Sequence, residues 1–265
     1  MTQELRRKGE LAKQASRQLI CTDTKTKDRA LNHMAQALTD HAEEILMENQ
    51  KDVAQAKEKG ITGALIDRLT LTLERIESMR EGILEIRDLE DPIGQTIDMT
   101  MRPNGLEIGK KRVPIGVIGI IYEARPNVTA DAAALCLKTS NAVILRGGKE
   151  AIRSNLCIVR VLSQAMQEAG LPEGTLQIIE DTSRETAKEL MKLNAYIDML
   201  IPRGGAGLIQ TVVQESTVPV IETGVDNCHI FVDKSADFEM AKNIIINAKT
   251  QRPGVCNAME SLLIH

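Results

Sequence analysis

Short apolar runs alternate with longer amphipathic stretches along the second half of this chain. The apolar runs occupy residues 115–122, 142–145, 175–179, 197–201, 218–221 and 229–232. Most of the segments between them have the length and the 3.6-residue period of a helix. Strands that alternate with helices are typical of a parallel sheet with helices on both faces. The pattern therefore predicts an α/β fold with a doubly wound, mainly parallel sheet.

The first third of the chain has a different pattern. Between residues 2 and 89 apolar residues such as Leu31, Met34, Ala35 and Leu38 recur near the helical period, and charged residues separate them. Glycines are few in this segment. We therefore expect amphipathic helices and no strands there.

Residues 94–113 connect these two regions. Apolar and polar residues alternate from Ile97 to Met101 and again from Leu106 to Ile108, on either side of the string Pro103-Asn104-Gly105. Asn-Gly between two alternating segments is a strong hairpin pattern. The sequence predicts a two-stranded arm.

Charge and composition limit the classes of function. The chain has 265 residues and a formal net charge of −4, and its basic residues are scattered, which argues against a nucleic-acid partner. Charged residues interrupt the first 20 positions, and no apolar run approaches the ~20 residues of a membrane span. The five cysteines form no C-x-x-C pair, so neither a metal site nor a disulfide framework is indicated. We expect a cytoplasmic protein with a small-molecule partner.

One short element occurs twice, each time at a strand end before a helix. It reads Arg146-Gly147-Gly148 in the first copy and Arg203-Gly204-Gly205 in the second. A glycine pair there lets the backbone approach a ligand, and the following helix presents N–H groups to a phosphate. Two such turns on one sheet suit a dinucleotide. Glycine pairs also make tight connections without any ligand, and the G-x-G-x-x-G fingerprint is absent, so both interpretations stay open.

A polar segment follows the first strand of the predicted sheet. Arg125 and Asn127 lie between the apolar run 115–122 and a helix predicted around 130–138. This places both at the mouth of a crevice at the strand ends. The Asn127 amide is a candidate donor to an oxyanion, and asparagine is also a common helix cap.

Cys256 is the strongest candidate for a nucleophile. It follows Pro253-Gly254 on a loop beyond a helix predicted around 236–248, close to the cationic Arg252. Cys136 and Cys157 lie in apolar, helical surroundings and are predicted to be core residues. Cys228 is adjacent to His229 on a predicted strand, where neighbouring side chains point to opposite faces.

Four segments, at residues 117–129, 137–150, 196–207 and 248–256, resemble the gamma-glutamyl phosphate reductase family, a branch of the aldehyde dehydrogenase superfamily. The resemblance extends over nearly the whole chain. It implies NADPH-dependent reduction of L-glutamyl 5-phosphate to L-glutamate 5-semialdehyde with release of phosphate, a step of proline biosynthesis. It also implies that Cys256 carries the acyl group as a thioester.

The resemblance assigns roles to individual residues. Arg146, Gly147, Gly148 and Lys149 would bind the adenosine ribose and its 2′-phosphate, and Arg203, Gly204 and Gly205 the pyrophosphate of NADPH. The Cys256 backbone N–H and the Asn127 side chain would hold the oxyanion. Arg125 or Arg252 would bind the phosphate or the α-carboxylate of the substrate. Glu222 stands where related dehydrogenases have a glutamate base, but the surrounding string differs, so its role stays open.

The same resemblance suggests a domain organisation. Residues 1–93 would be the N-terminal helices of the cofactor domain, 94–113 an oligomerisation arm, 114–225 the NADPH-binding domain and 226–265 the start of a catalytic domain. A homo-oligomer and an association with glutamate 5-kinase are expected. The family continues past residue 265, so the alternative is a truncated, non-catalytic nucleotide-binding or assembly fragment, whose last apolar run lacks its strand neighbours.

Overall fold

The computed structural model describes residues 1–222, 224, 226–253 and 255–265, with Ala64 described by its backbone alone. The chain divides into two compact units, Met1–Glu222 and Thr223–His265. No helix among the described residues is long and apolar enough to cross a membrane.

Five helices open the first unit, as the sequence predicts. They are α1 (Gln3–Leu19), α2 (Thr24–Asp40), α3 (Ala42–Glu58), α4 (Ala64–Leu69) and α5 (Leu73–Asp88). Thr2, Asp23 and Thr72 begin α1, α2 and α5 by accepting a backbone N–H three residues later, which satisfies a donor that the helix leaves free. The apolar stripe of α2 is buried in the main core.

The predicted hairpin follows. Strands β1 (Thr96–Met101) and β2 (Glu107–Lys111) pair antiparallel, and Arg102 N–H donates to Leu106 O at 2.8 Å to close the turn. Gly105 has a φ of 84°, a conformation that favours glycine. Every residue of both strands is exposed.

Four parallel strands form the central sheet of the first unit. They are β3 (Val117–Tyr122), β4 (Ala142–Arg146), β5 (Leu176–Ile178) and β6 (Met199–Arg203), in the order β5-β4-β3-β6. The helices of this region are α6 (Asn127–Lys138), α7 (Ile152–Glu168), α8 (Arg184–Leu190) and α9 (Ala206–Glu215), and a short 3₁₀ helix spans Lys149–Ala151. All six residues of β3 are buried, as expected for a strand covered on both faces.

Two strand predictions need correction. Within the described part of the chain, residues 218–221 form a single bridge, Leu200↔Val220, because Pro219 has no N–H to donate to a ladder. The strand predicted at 197–201 begins two residues later, since the Ile197 N–H donates to Leu193 O in the preceding turn.

The strand order creates a switch point beside β3. The chain runs from β3 outward to β4 and β5 and then returns to place β6 on the other side of β3. Ligands of open α/β sheets bind at the carboxyl ends of the strands at such a point. We therefore expect a ligand-binding site in the crevice beyond Tyr122 and Arg203.

The second unit is a βαβ element. Strand β7 (Cys228–Val232) pairs parallel with β8 (Met259–Ile264), and α10 (Phe238–Thr250) connects them. The expectation that the last apolar run lacks strand neighbours is wrong for one edge of β8, because that edge pairs with β7. The helix begins later than predicted because the Asp237 side chain caps it by accepting from Met240 N–H.

Candidate functional site

Three strand-end turns meet at the switch point of the first unit. β3 pairs with both β4 and β6, so the residues after β3 lie between the two glycine turns. A Cβ placed on Gly148 would lie 3.2 Å from Ala124 N, and one placed on Gly204 would lie 2.8 Å from the Glu123 side chain. Glycine at these positions is what allows the turns to approach each other.

The turn after β4 rests on a buried polar chain that sequence reasoning missed. The Tyr122 hydroxyl and Thr129 Oγ1 are 2.7 Å apart, and Thr129 Oγ1 donates to Asn155 Oδ1 at 3.0 Å. Asn155 is fully buried, and its Nδ2 has no acceptor among the residues with described placement. A Cβ on Gly147 would lie 2.3 Å from that Nδ2. The Gly147 backbone therefore packs directly on the buried amide.

A carboxylate of the chain occupies the N-terminus of α7. Asp52 Oδ2 accepts from the Ser154 backbone N–H at 2.8 Å and from Ser154 Oγ at 2.7 Å, and Asp52 Oδ1 accepts from Arg153 N–H at 3.4 Å. Burial raises the pKa of Asp52, although the bonds from Ser154 act in the opposite direction. These N–H groups, which the sequence suggested for a phosphate, already have a partner.

Arg146 is half-buried at the end of β4. Its Nη2 donates to Thr182 O at 2.7 Å and to Ser183 O at 3.3 Å. Its Nε is buried and has no partner within the described part of the chain. Burial lowers the pKa of Arg146, and the charges of Glu150 and Asp181 oppose that shift. Lys149, which follows the glycine pair, is exposed at the start of the 3₁₀ helix.

The turn after β6 is open to solvent. Arg203, Gly204 and Gly205 are all exposed, and Gly205 is the N-cap of α9. The Gly205 N–H donates to Glu123 Oε1 at 3.0 Å. Glu123 was not among the residues singled out from the sequence, although a charged residue directly after a fully apolar strand could have identified it.

Asn127 is the first residue of α6 and does not cap it. Pro126 holds the N-cap position, without a side-chain cap bond. The exposed Asn127 Nδ2 donates to Asp131 Oδ2 at 3.3 Å, one helical turn later. Burial raises the pKa of Asp131. The neighbouring Arg125 is partly buried, and its backbone N–H donates to Glu123 O at 2.7 Å.

Cys256 and Arg252 belong to the second unit, whereas all the other candidates lie in the first. Cys256 is exposed on the turn before β8, and Arg252 O accepts from Val255 N–H at 3.3 Å. Gly254 of the same loop lies outside the described residues. The Cys228 thiol donates to Cys256 O at 3.4 Å.

The buried cysteines differ from Cys256 in their surroundings. Cys136 and Cys157 are core residues, as predicted. Burial raises the pKa of Cys136 to about 12, and it also raises the pKa of Cys157. A thiol held in the protonated form is a poor nucleophile, so neither competes with Cys256 for that role. Within the described ranges no group of three or more His, Cys, Asp or Glu residues could hold a metal ion.

The first-unit crevice fits a dinucleotide in its backbone geometry. Gly147, Gly148 and Gly204 border the strand ends, and a Cβ added at any of them would come within 3.0 Å of a neighbouring atom. Arg146 Nε and Asn155 Nδ2, two buried donors with no partner among the described residues, lie on the β4 side. A close backbone and polar donors are the features that a phosphate-bearing ligand requires.

Known proteins resemble this chain over its whole length. A gamma-glutamyl phosphate reductase of Caldicellulosiruptor bescii is 61% identical over 262 residues, which cover 99% of this chain and 62% of that protein. A second, from Clostridium perfringens, is 59% identical and covers 100% of this chain and 64% of its own length. The chain therefore spans less than two thirds of these relatives.

Solved structures agree with the fold. The gamma-glutamyl phosphate reductase of Thermotoga maritima superposes with a TM-score of 0.90 at 46% identity, covering 99% of this chain and 63% of that one. A probable aldehyde dehydrogenase of Listeria monocytogenes shares the fold at 19% identity, with a TM-score of 0.75 over 99% of this chain and 55% of its own. The sequence pattern of the aldehyde dehydrogenase family matches residues 2–265. This chain belongs to the aldehyde dehydrogenase family.

Proposed function

We propose that this chain carries the cofactor-binding part and the nucleophile of an NADPH-dependent gamma-glutamyl phosphate reductase. The enzyme would reduce L-glutamyl 5-phosphate to L-glutamate 5-semialdehyde and release phosphate in proline biosynthesis. The observation that carries the proposal is the identity of 58–61% to reductases of that name over 96–99% of the chain. The glycine turns at the switch point and the exposed Cys256 are consistent with that chemistry.

The cofactor would bind in the crevice of the first unit. Arg146 and Lys149 would face the 2′-phosphate, and Gly147 and Gly148 would let the ribose approach the backbone. The turn from Arg203 to Gly205 would receive the pyrophosphate. When bound, NADPH supplies the hydride for the reduction.

Cys256 would perform the acyl transfer. Its thiolate attacks the acyl carbon, the bond from that carbon to the phosphate oxygen breaks, and inorganic phosphate leaves. The acyl group is then held as a thioester on Sγ. After reduction the thiohemiacetal collapses, which releases the aldehyde and regenerates the thiol. Phosphate is a good leaving group, so the first step needs little acid catalysis.

Asn127 would stabilise the oxyanion together with the Cys256 backbone N–H. One N–H of the Asn127 amide is within hydrogen-bond distance of Asp131 Oδ2, which orients the amide and leaves its second N–H for the substrate. Removing one oxyanion donor typically costs ~3 kcal/mol of transition-state stabilisation. Arg125 or Arg252 would bind the substrate phosphate or α-carboxylate.

The test is a cysteine substitution in the full-length enzyme. Cys256→Ala should lower phosphate-dependent reduction of NADP by glutamate semialdehyde at least ~1,000-fold, because the covalent step is lost. Cys21→Ala is the matched control, since Cys21, just after α1, is also an exposed free thiol. Turnover of the Cys256→Ala enzyme near that of the control would rule out the assignment.

A second candidate is a nucleotide-binding or assembly module without catalysis. The hairpin favours it, because Ile97, Met99 and Met101 expose 62–66% of their surface and suit an oligomer contact. NADPH binding with no turnover by any preparation of full-length protein would select this alternative. In either case we propose a cytoplasmic homo-oligomer, and an association with glutamate 5-kinase remains part of the proposal.

A further inference from the structure

Glu123 lies at the centre of the switch-point crevice. It follows Tyr122, the last residue of the central strand β3, and its backbone N–H donates to Arg203 O at 3.3 Å. Its side chain reaches the other wall, where Oε1 accepts from Gly205 N–H at 3.0 Å. Gly205 is the N-cap of α9, a helix of ten residues. The carboxylate therefore occupies the position at which the turn could bind an anionic ligand.

The Glu123 contact differs from the equivalent contact at α7. There Asp52 is 1% exposed and accepts three hydrogen bonds, so it is a permanent part of the core. Glu123 is exposed, and one backbone N–H is the only hydrogen bond described for its carboxylate. A single solvent-exposed bond is worth little, whereas a buried carboxylate with several bonds is costly to remove. Only the Glu123 carboxylate can be displaced easily.

The opposite wall of the crevice contains a buried amide donor. Asn155 Nδ2 is fully buried against Gly147 and has no acceptor among the described residues. Buried amide donors without a partner are rare. One wall thus carries a buried donor with no acceptor among the described residues, and the other carries a donor bonded to an exposed carboxylate.

We propose that Glu123 sets the affinity of this crevice for phosphate-bearing nucleotides by competing with them for the N-terminus of α9. The inference rests on the proposed function, which puts a dinucleotide in this crevice. A carboxylate and a diphosphate cannot share the Gly205 N–H, so the Glu123 side chain turns away when the ligand binds. Its negative charge stays near the ligand and opposes binding.

Glu123→Gln tests this inference with minimal change of shape. The amide oxygen of glutamine still accepts from Gly205 N–H, but the negative charge is gone. We expect NADPH and ADP to bind about fivefold more tightly, the factor that two unit charges about 4 Å apart produce in water. The dissociation constants are measured by titration of the purified protein at low ionic strength. The gain should shrink when salt is raised to ~1 M, because salt screens exposed charges.

Glu173→Gln is the matched control. Glu173 is an exposed carboxylate at the amino end of β5, at the sheet edge opposite the crevice, so this variant changes the net charge equally. It should bind both ligands as the wild type does. Equal or weaker binding by Glu123→Gln, or an equal gain in both variants, would refute the role of Glu123.

The outcomes also separate this inference from the proposed function. If the wild type binds NADPH and Glu123→Gln gains nothing, the inference fails and the cofactor site stands. If neither protein binds NADPH or ADP, the cofactor site fails, and the role of Glu123 fails with it.

Discussion

The two arginine–glycine–glycine turns of the first unit have the same sequence but different surroundings. Gly147 and Gly148 are buried, and they pack on the side chain of Asn155 and on the segment after β3. Gly204 and Gly205 are exposed, and their closest described neighbour across the crevice is the exposed side chain of Glu123. The first turn is fixed by its packing, and the second is accessible to a ligand.

The arginines of the two turns differ in the same way. Arg146 is half-buried and bonded to two carbonyl groups of the loop after β5. Arg203 is exposed, and its charge acts on the carboxyl group of Asp131. A repeated motif therefore identifies two places where the backbone comes close to a ligand, but only the tertiary contacts show which place can adapt.

The largest expected difference between the two turns is the loss of stability when a Cβ atom is added to a glycine. Gly147→Ala would place a Cβ 2.3 Å from Asn155 Nδ2 and 3.2 Å from the Tyr122 ring, and both side chains are locked in the buried polar chain. Overpacking of this kind costs ~1–3 kcal/mol of unfolding free energy. Urea unfolding of the purified variant measures the loss.

Gly205→Ala is the corresponding change in the second turn. Its Cβ would lie 3.6 Å from Glu123 Oε1, which is an ordinary van der Waals contact. Glycine is a better N-cap residue than alanine, so this change should cost about 0.5–1 kcal/mol of unfolding free energy. If the two variants lost equal stability, the distinction between a packed and an open turn would be wrong.

The next effect concerns the arginines. Arg146→Ala removes two charge-assisted hydrogen bonds and should cost ~1–3 kcal/mol of stability, whereas Arg203→Ala should be nearly neutral. In the full-length enzyme Arg146→Ala should also lower the ratio of kcat/KM for NADPH over NADH, because a guanidinium favours the 2′-phosphate. An unchanged ratio would remove Arg146 from 2′-phosphate recognition and leave it a purely structural role.

Much of this fold could be predicted from the sequence because its patterns are local. The strand β3, the hairpin and the helices of residues 2–89 each follow from an apolar period within a single segment. Residues 218–221 look equally apolar, but Pro219 prevents a ladder there. Periodicity records the burial of side chains and does not record whether each backbone group finds a partner.

The contacts that distinguish the two turns were not predictable in the same way. Asp52 reaches Ser154 from a helix 102 positions earlier in the chain, and nothing near residue 154 indicates this partner. Asn155 looks like an ordinary polar residue of a helix, and only the fold places it beneath Gly147. Glu123 is adjacent to a predicted strand end, but its bond to Gly205 depends on the position of β6 beside β3.

The smallest expected effect is a pH dependence of stability that comes from Asp52, whose carboxylate is bonded to the N-terminus of α7. Burial raises the pKa of Asp52 in the folded protein above its value in the unfolded chain, ~3.9. The folded state therefore binds the proton more tightly, and the contribution of Asp52 to stability is complete below that pH. It is lost as the pH rises through the raised pKa. The unfolding free energy of the wild type minus that of Asp52→Asn should accordingly decrease from pH ~4 upward and then level off.

Asp181→Asn provides the opposite sign, because the hydrogen bond from Thr186 contributes most to lowering the pKa of Asp181, and this contribution is lost as the pH falls. Urea titrations of the three proteins across this range measure both differences. A wild-type advantage over Asp52→Asn that grew with pH would mean that the bonds from Ser154 outweigh burial, and that the N–H groups of α7 stabilise the charged form of this carboxylate.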